Sequence, residues 1–133
     1  MLGIARGMVT TFKHLLKPSI TYGYPGHKRE LPPRSRMSFA LLMGEDGEPQ
    51  CKSCLLCAKS CPDNAITIEA EKRADGPGRE LTKFTIDLGR CMYCGLCVEQ
   101  CATAGLVHTA DYETCSADLG DMQLVIYERE VRR

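Results

Sequence analysis

Apolar and polar positions follow three different rhythms along this chain. Over residues 4–17 the apolar side chains Ile4, Ala5, Met8, Val9, Phe12, Leu15 and Leu16 recur at one-face helical spacing, with Arg6, Thr10, Lys13 and Lys17 opposite them. This predicts an amphipathic helix that Pro18 closes, because proline disfavours helical backbone at the residue before it. Over residues 18–36 neither helical nor strand period is visible. Tyr22-Gly23-Tyr24-Pro25, Pro32-Pro33 and the Arg34/Arg36 pair mark an extended arm of the kind that is laid over a partner. Beyond it, short β-type runs alternate with short helical ones. Residues 39–43 predict a strand, Glu45-Asp46-Gly47-Glu48 a turn, 55–61 a short helix ended by Pro62, and 65–69 a half-buried strand. Residues 73–79, with Asp75-Gly76-Pro77-Gly78, predict an exposed loop; 83–87 a strand, 96–101 a second short helix, and 106–109 another strand. The tail is apolar over 122–127 and then charged in Glu128-Arg129-Glu130, which suits either a strand or a short helix. Strand, helix, strand, written twice, is an internal duplication with pseudo-two-fold symmetry.

Each repeat carries the same cysteine run: Cys51-x-x-Cys54-x-x-Cys57-x-x-x-Cys61-Pro62, then Cys91-x-x-Cys94-x-x-Cys97-x-x-x-Cys101. Three cysteines two residues apart, on a loop curling into a helix, can point their sulfurs at three irons of one cubane. The fourth faces away and reaches the cubane of the other half. The spacing therefore assigns one 4Fe–4S cluster to Cys51, Cys54, Cys57 and Cys101, and a second to Cys91, Cys94, Cys97 and Cys61. A zinc site needs only four thiolates, and disulfides need an oxidising compartment, so neither accounts for eight cysteines in this arrangement. The predicted fold is α+β, of the bacterial-type two-cluster ferredoxin kind. Ile66, Leu106, Leu55, Leu96 and Ile86 are expected to keep water from the clusters and lower their potentials. Lys52, between two ligands of the first cluster, is expected to raise that one. Cys115 stands outside both runs and reads as a buried or partner-facing thiol. No acid–base constellation is visible, so no catalytic residues are assigned.

Composition adds three constraints. The chain has 133 residues and no Trp, so apolar burial alone would make a weak core, and cluster ligation must supply part of the folding free energy. We read residues 1–38 as a helix and basic arm, 39–112 as the cluster domain and 113–133 as a tail. Lys+Arg and Asp+Glu each total 17, but Arg6, Lys13, Lys17, Lys28, Arg29, Arg34 and Arg36 face only Glu30 within the first 40 residues. A basic arm thus precedes an acidic domain, which suits a protein partner or anionic lipid headgroups. Nucleic acid is the poorer partner, since no stacking aromatics are interleaved with the charge. No apolar run is long enough to span a bilayer, and no export signal is recognisable, which places the chain on the cytoplasmic side of a membrane as a peripheral component.

Beyond its cysteines the chain resembles the two-cluster ferredoxin subunit of proton-pumping NADH:quinone oxidoreductase, respiratory complex I. The resemblance runs through Lys13-His14-Leu15, Thr21…Tyr24-Pro25, Leu31-Pro32-x-Arg34-x-Arg36 and Cys54-Leu55-Leu56-Cys57-Ala58. It continues in Cys61-Pro62-x-x-Ala65-Ile66-x-Ile68-Glu69, Ile86-Asp87-x-Gly89-Arg90-Cys91, Tyr93-Cys94-Gly95-Leu96-Cys97-Val98-Glu99 and Tyr112-Glu113. It implies a relay at the junction of hydrophilic and membrane arms, passing electrons toward the quinone-side cluster, with no bond chemistry of its own. It implies as partners the quinone-side cluster subunit, a hydrogenase-like large subunit and the membrane heel subunit against which the N-terminal helix lies. Related subunits serve membrane-bound hydrogenases and ferredoxin-driven enzymes, and a free soluble ferredoxin is the alternative outside this group. The chain departs from the family pattern at Ala102, where proline usually follows the fourth cysteine, and at Met37, where glycine is expected.

Overall fold

The computed structural model describes residues 2–73 and 76–129. The chain divides into two units, Met1–Leu31 and Pro32–Arg133. Asp75 of the expected loop and Glu130 of the tail lie outside the described residues.

The first unit is one helix followed by turns. Helix α1 spans Leu2–Leu15 and buries none of its residues; Phe12 is 62% exposed and Leu15 78%. It begins two residues before the predicted start and ends two before the predicted stop. The end follows from Pro18, since Lys17 has left helical geometry and its N–H closes a shorter turn onto the His14 carbonyl at 3.2 Å. Its apolar stripe is the one read from the sequence, and it remains uncovered.

In the second unit the two sequence repeats exchange strands. Strand β1 (Ser38–Leu41) and helix α2 (Leu56–Ser60) lead to β2 (Ile66–Lys72); β3 (Arg79–Asp87) and α3 (Leu96–Glu99) lead to β4 (Leu106–Thr109). β1 pairs with β4, Phe39 facing His108, and β2 pairs with β3, Ile66 facing Ile86. The first strand of one repeat thus lies beside the last strand of the other. After a 3₁₀ turn at Gly120–Met122 the tail forms β5 (Gln123–Glu128), antiparallel to β3 with Phe84 opposite Tyr127. The tail is therefore a strand, and it makes the second sheet three-stranded where the repeat alone would leave two.

The core lies between the sheets and under the short helices. Phe84, Leu81, Ile86 and Leu106 are almost wholly buried, with Phe39, Leu41, Ile66 and Leu88 around them. β2 and β3 both extend further than the apolar alternation indicated, in a hairpin that carries them out over polar residues. Its far end is held by Arg129, which bonds Glu80 and, at 3.4 Å, Glu48.

Candidate iron–sulfur centres

Both cysteine runs are loops bent by left-handed residues. Ser53 and Leu55 in the first run and Tyr93 and Gly95 in the second have positive φ, as do Asn64 and Ala104 just after each fourth cysteine. These three pairs sit forty residues apart, as the cysteines do, so the duplication is written in the backbone as well as in the side chains. Alternating left-handed residues curl a loop so that its N–H groups converge, the kind of nest that surrounds phosphates and iron–sulfur groups. α2 and α3 begin directly from these loops, so that Cys57 and Cys97 lie in the first turn of each, buried. Cys61 is extended, as a residue before proline must be. Ala102 changes little: Ala104 keeps the left-handed turn of Asn64, and its N–H returns to the Cys101 carbonyl at 3.1 Å.

The turn into the second run is built by Asp87. Its carboxylate accepts from the Gly89 N–H at 2.9 Å, and its carbonyl accepts from Cys91 at 3.0 Å. The Asp87-x-Gly89-Arg90 sequence thereby fixes where Cys91 enters. Phe39 stacks on Tyr93, with ring centroids 5.8 Å apart, and meets His108 at a tilt with centroids 4.8 Å apart, which ties the β1–β4 ladder to the same loop.

The eight cysteines surround two cavities. Cys51, Cys54, Cys57 and Cys101 line one, together with Leu41, Leu55, Ile68, Phe84 and Leu106. Cys61, Cys91, Cys94 and Cys97 line another, with Phe39, Ala65, Ile66 and Ile86. Each cavity takes three cysteines from one run and the fourth from the other. Among the described residues no three His, Cys, Asp or Glu side chains stand close enough to hold a single metal ion. The thiols are instead spread around a volume, as a multinuclear group requires.

The donor set suits a positively charged centre. Burial pushes the Cys57 and Cys97 thiols up to about 11, helped by repulsion from neighbouring cysteines, and it raises Cys51 and Cys91 as well. Thiols held protonated by desolvation and by one another are discharged by bound cations. Cys101 differs: burial pulls it upward, but the Thr103 hydroxyl and the N–H groups of Leu106, Thr103 and Gly105 together hold it below the usual thiol range. The Ala65 N–H donates to Cys61 Sγ at 3.3 Å. The buried Ser53 hydroxyl, inside the first ligand loop, has no partner among the described residues, which leaves a donor available there.

Four sequence expectations change. Leu96 is exposed and lines neither cavity; its equivalent in the first run is Leu56, also exposed, whereas the water-excluding Leu55 corresponds to Gly95. Leu55 is only half-buried, while Ile66, Ile86 and Leu106 are buried as expected. Lys52 lies at the rim of the first cavity with its side chain exposed, so solvent screens it. Of the two readings of Cys115, the buried one is excluded, since the thiol is exposed, and the partner-facing one stays. Sequence reasoning missed Arg36, which the structure brings to the Cys94–Gly95 peptide. The glycine that interrupts the repeat at 95 was its one legible trace.

Residues 50–104 match the 4Fe-4S dicluster domain family, which gives this chain two 4Fe–4S clusters. A NADH-quinone oxidoreductase subunit I of Geobacter metallireducens is 41% identical over 96% of this chain and 70% of its own length. A second relative of that name, from Streptomyces coelicolor, is 35% identical over 90% of this chain and 63% of its own. The chain spans 63%, 49% and 50% of the length of three of the curated relatives it matches. Among solved structures, a chain of the membrane-bound sulfane sulfur reductase, an archaeal respiratory membrane complex, is 29% identical with a TM-score of 0.53. That likeness covers 77% of this chain and 50% of the other.

Proposed function

The chain belongs to the family of NADH-quinone oxidoreductase subunit I, and from that premise we propose that it is a fixed electron relay within a membrane-associated oxidoreductase. The observation that carries the reading is the pair of four-cysteine cavities within one folded unit. Cys51, Cys54, Cys57 and Cys101 hold one cluster, and Cys91, Cys94, Cys97 and Cys61 the other. Each bound cluster supplies a one-electron carrier. The chain's own part is to hold the thiolates, to exclude water through Phe84, Ile86, Ile66 and Leu106, and to keep the two sites together by crossing the fourth ligands.

The exposed apolar face of α1, with Arg6, Lys13 and Lys17 along its polar side, supports residues 1–38 as the docking arm, residues 39–112 as the relay and residues 113–133 as a strand-bearing tail. No described helix is long and apolar enough to cross a membrane. In this reading the arm lies on a membrane subunit or on the bilayer surface, on the cytoplasmic face. The neighbours are then the quinone-side cluster subunit, the hydrogenase-like large subunit and the membrane heel subunit. Single electrons pass toward the quinone-side cluster of a proton-pumping NADH:quinone oxidoreductase. A second reading, the same relay in a complex I-like enzyme with another donor or acceptor, is favoured by the likeness to the sulfane sulfur reductase chain.

Extraction in mild detergent tests the reading. The full chain should carry about eight irons and co-purify with membrane polypeptides, whereas a chain lacking residues 2–31 should keep its iron and lose those partners. A chain that stays monomeric after extraction, or that keeps every partner without α1, would sink it.

A further inference from the structure

The repeat breaks at one ligand-loop position, and a charged side chain stands in the break. Leu55 and Gly95 occupy equivalent places, both left-handed, at φ 63° and 81°. Leu55 shows that such a backbone accepts a side chain, and that side chain helps to line the first cavity. At position 95 there is no room for one: a Cβ would stand 2.5 Å from Arg36 Nη1 and 3.0 Å from its Cζ. Arg36 Nη1 donates to the carbonyl of the ligand residue Cys94, and Nη2 donates to Glu99 Oε1 at 2.8 Å. A guanidinium thus stands where a Cβ at position 95 would be, facing a neighbouring cavity with Met37 and Tyr93 and not the second cysteine cavity itself. The equivalent of Glu99 in the first repeat is Lys59, which cannot reproduce the pair.

We propose that Arg36 tunes the second cluster: held against the Cys94–Gly95 peptide, its charge favours the reduced, more negative state there and raises that cluster's potential above what its apolar walls would set. Glu99 moderates the effect. The inference rests on the two-cluster reading above. Arg36 is a positioning and tuning residue, since it touches the backbone of a ligand and not the redox atoms. Its side chain is 50% exposed, so solvent screens part of its field.

The test is an EPR-monitored redox titration of the full chain holding both clusters, with the signals assigned through Cys51→Ser and Cys91→Ser. Arg36→Met should lower the reduction equilibrium of the second cluster about tenfold, about 59 mV for a one-electron couple, and leave the first unmoved. Glu99→Gln breaks the same ion pair but removes the opposite charge, so it should raise that equilibrium, and Arg36→Lys should restore most of the wild-type value. If Arg36→Met loses its iron, Gly95→Ala pushes the flexible guanidinium aside without changing the charge count, and it too should lower the second potential. Shifts of the same sign in Arg36→Met and Glu99→Gln would mark the pair as structural only and overturn the proposal. So would unmoved potentials with about eight irons still bound. Wild-type protein without those irons would overturn the two-cluster reading itself.

Discussion

Stripped of iron, the cluster unit should not hold its fold. Among the described residues five non-glycine ones, Ser53, Leu55, Asn64, Tyr93 and Ala104, are held in left-handed backbone, all of them in the cysteine runs or within three residues of one. At about 1 kcal/mol each, their strain sums to about 5 kcal/mol. That equals the lower end of the roughly 5–15 kcal/mol by which whole domains are stable. Ligation over-determines these conformations; without it nothing repays them, and both cavities lose their contents. The assay is a comparison of holoprotein with protein freed of iron by chelation in denaturant and then refolded, by near-UV circular dichroism and amide NMR dispersion. The apo form should show neither. A graded check uses Ala104, which is exposed and lines no cavity. Ala104→Gly removes one left-handed penalty of about 1 kcal/mol against glycine's roughly 0.5–1 kcal/mol of greater freedom in the unfolded chain, so it should leave the holoprotein as stable as wild type or more stable by up to about 0.5 kcal/mol. A dispersed apo spectrum with a cooperative melt, or an Ala104→Gly protein less stable than wild type, would refute the reasoning.

Two further outcomes follow from the same geometry. Cys61→Ser should damage the second cluster first and Cys101→Ser the first, each opposite to its own run, as read by which EPR signal is lost; damage confined to the cluster of the mutated run would deny the crossing. Burial holds the His108 ring below its ordinary range of about 6.5, and nearby Arg36 adds to this, although the Ser38 carbonyl pulls the other way. The unfolded chain therefore takes up the proton first, so this contribution is complete above about pH 6.5 and is lost as pH falls toward the folded value. Urea melts at pH 7.5 and 5.5 should show a larger acid loss for wild type than for His108→Gln; equal losses would exclude His108.

The cysteine spacing made most of the site legible, because a repeated ligand run constrains loop, helix and partner run together. The strands that flank it were also readable, since Ile66, Ile68, Phe84 and Ile86 alternate as a half-buried strand must. The tail was not: 122–127 is a short apolar run whose period does not separate strand from helix, and only pairing with β3 decides it. Leu96 is exposed because forty residues back its counterpart is the exposed Leu56, while the place of Leu55 is taken by Gly95. Arg36 could not be found by any local rule, as its partners lie 58 and 63 residues downstream. Among the arm's arginines it reads simply as one more basic residue.

The exchange of strands and cysteines between the halves also fixes an order of manufacture. When the ribosome has released the first repeat, β1 lacks β4, β2 lacks β3, and the first cavity lacks the wall that Cys101 provides. The second cavity equally takes Phe39, Cys61, Ala65 and Ile66 from the first repeat and Cys91, Cys94 and Cys97 from the second. Half a chain is therefore not half a wire: neither four-cysteine cavity is complete until both runs have been made.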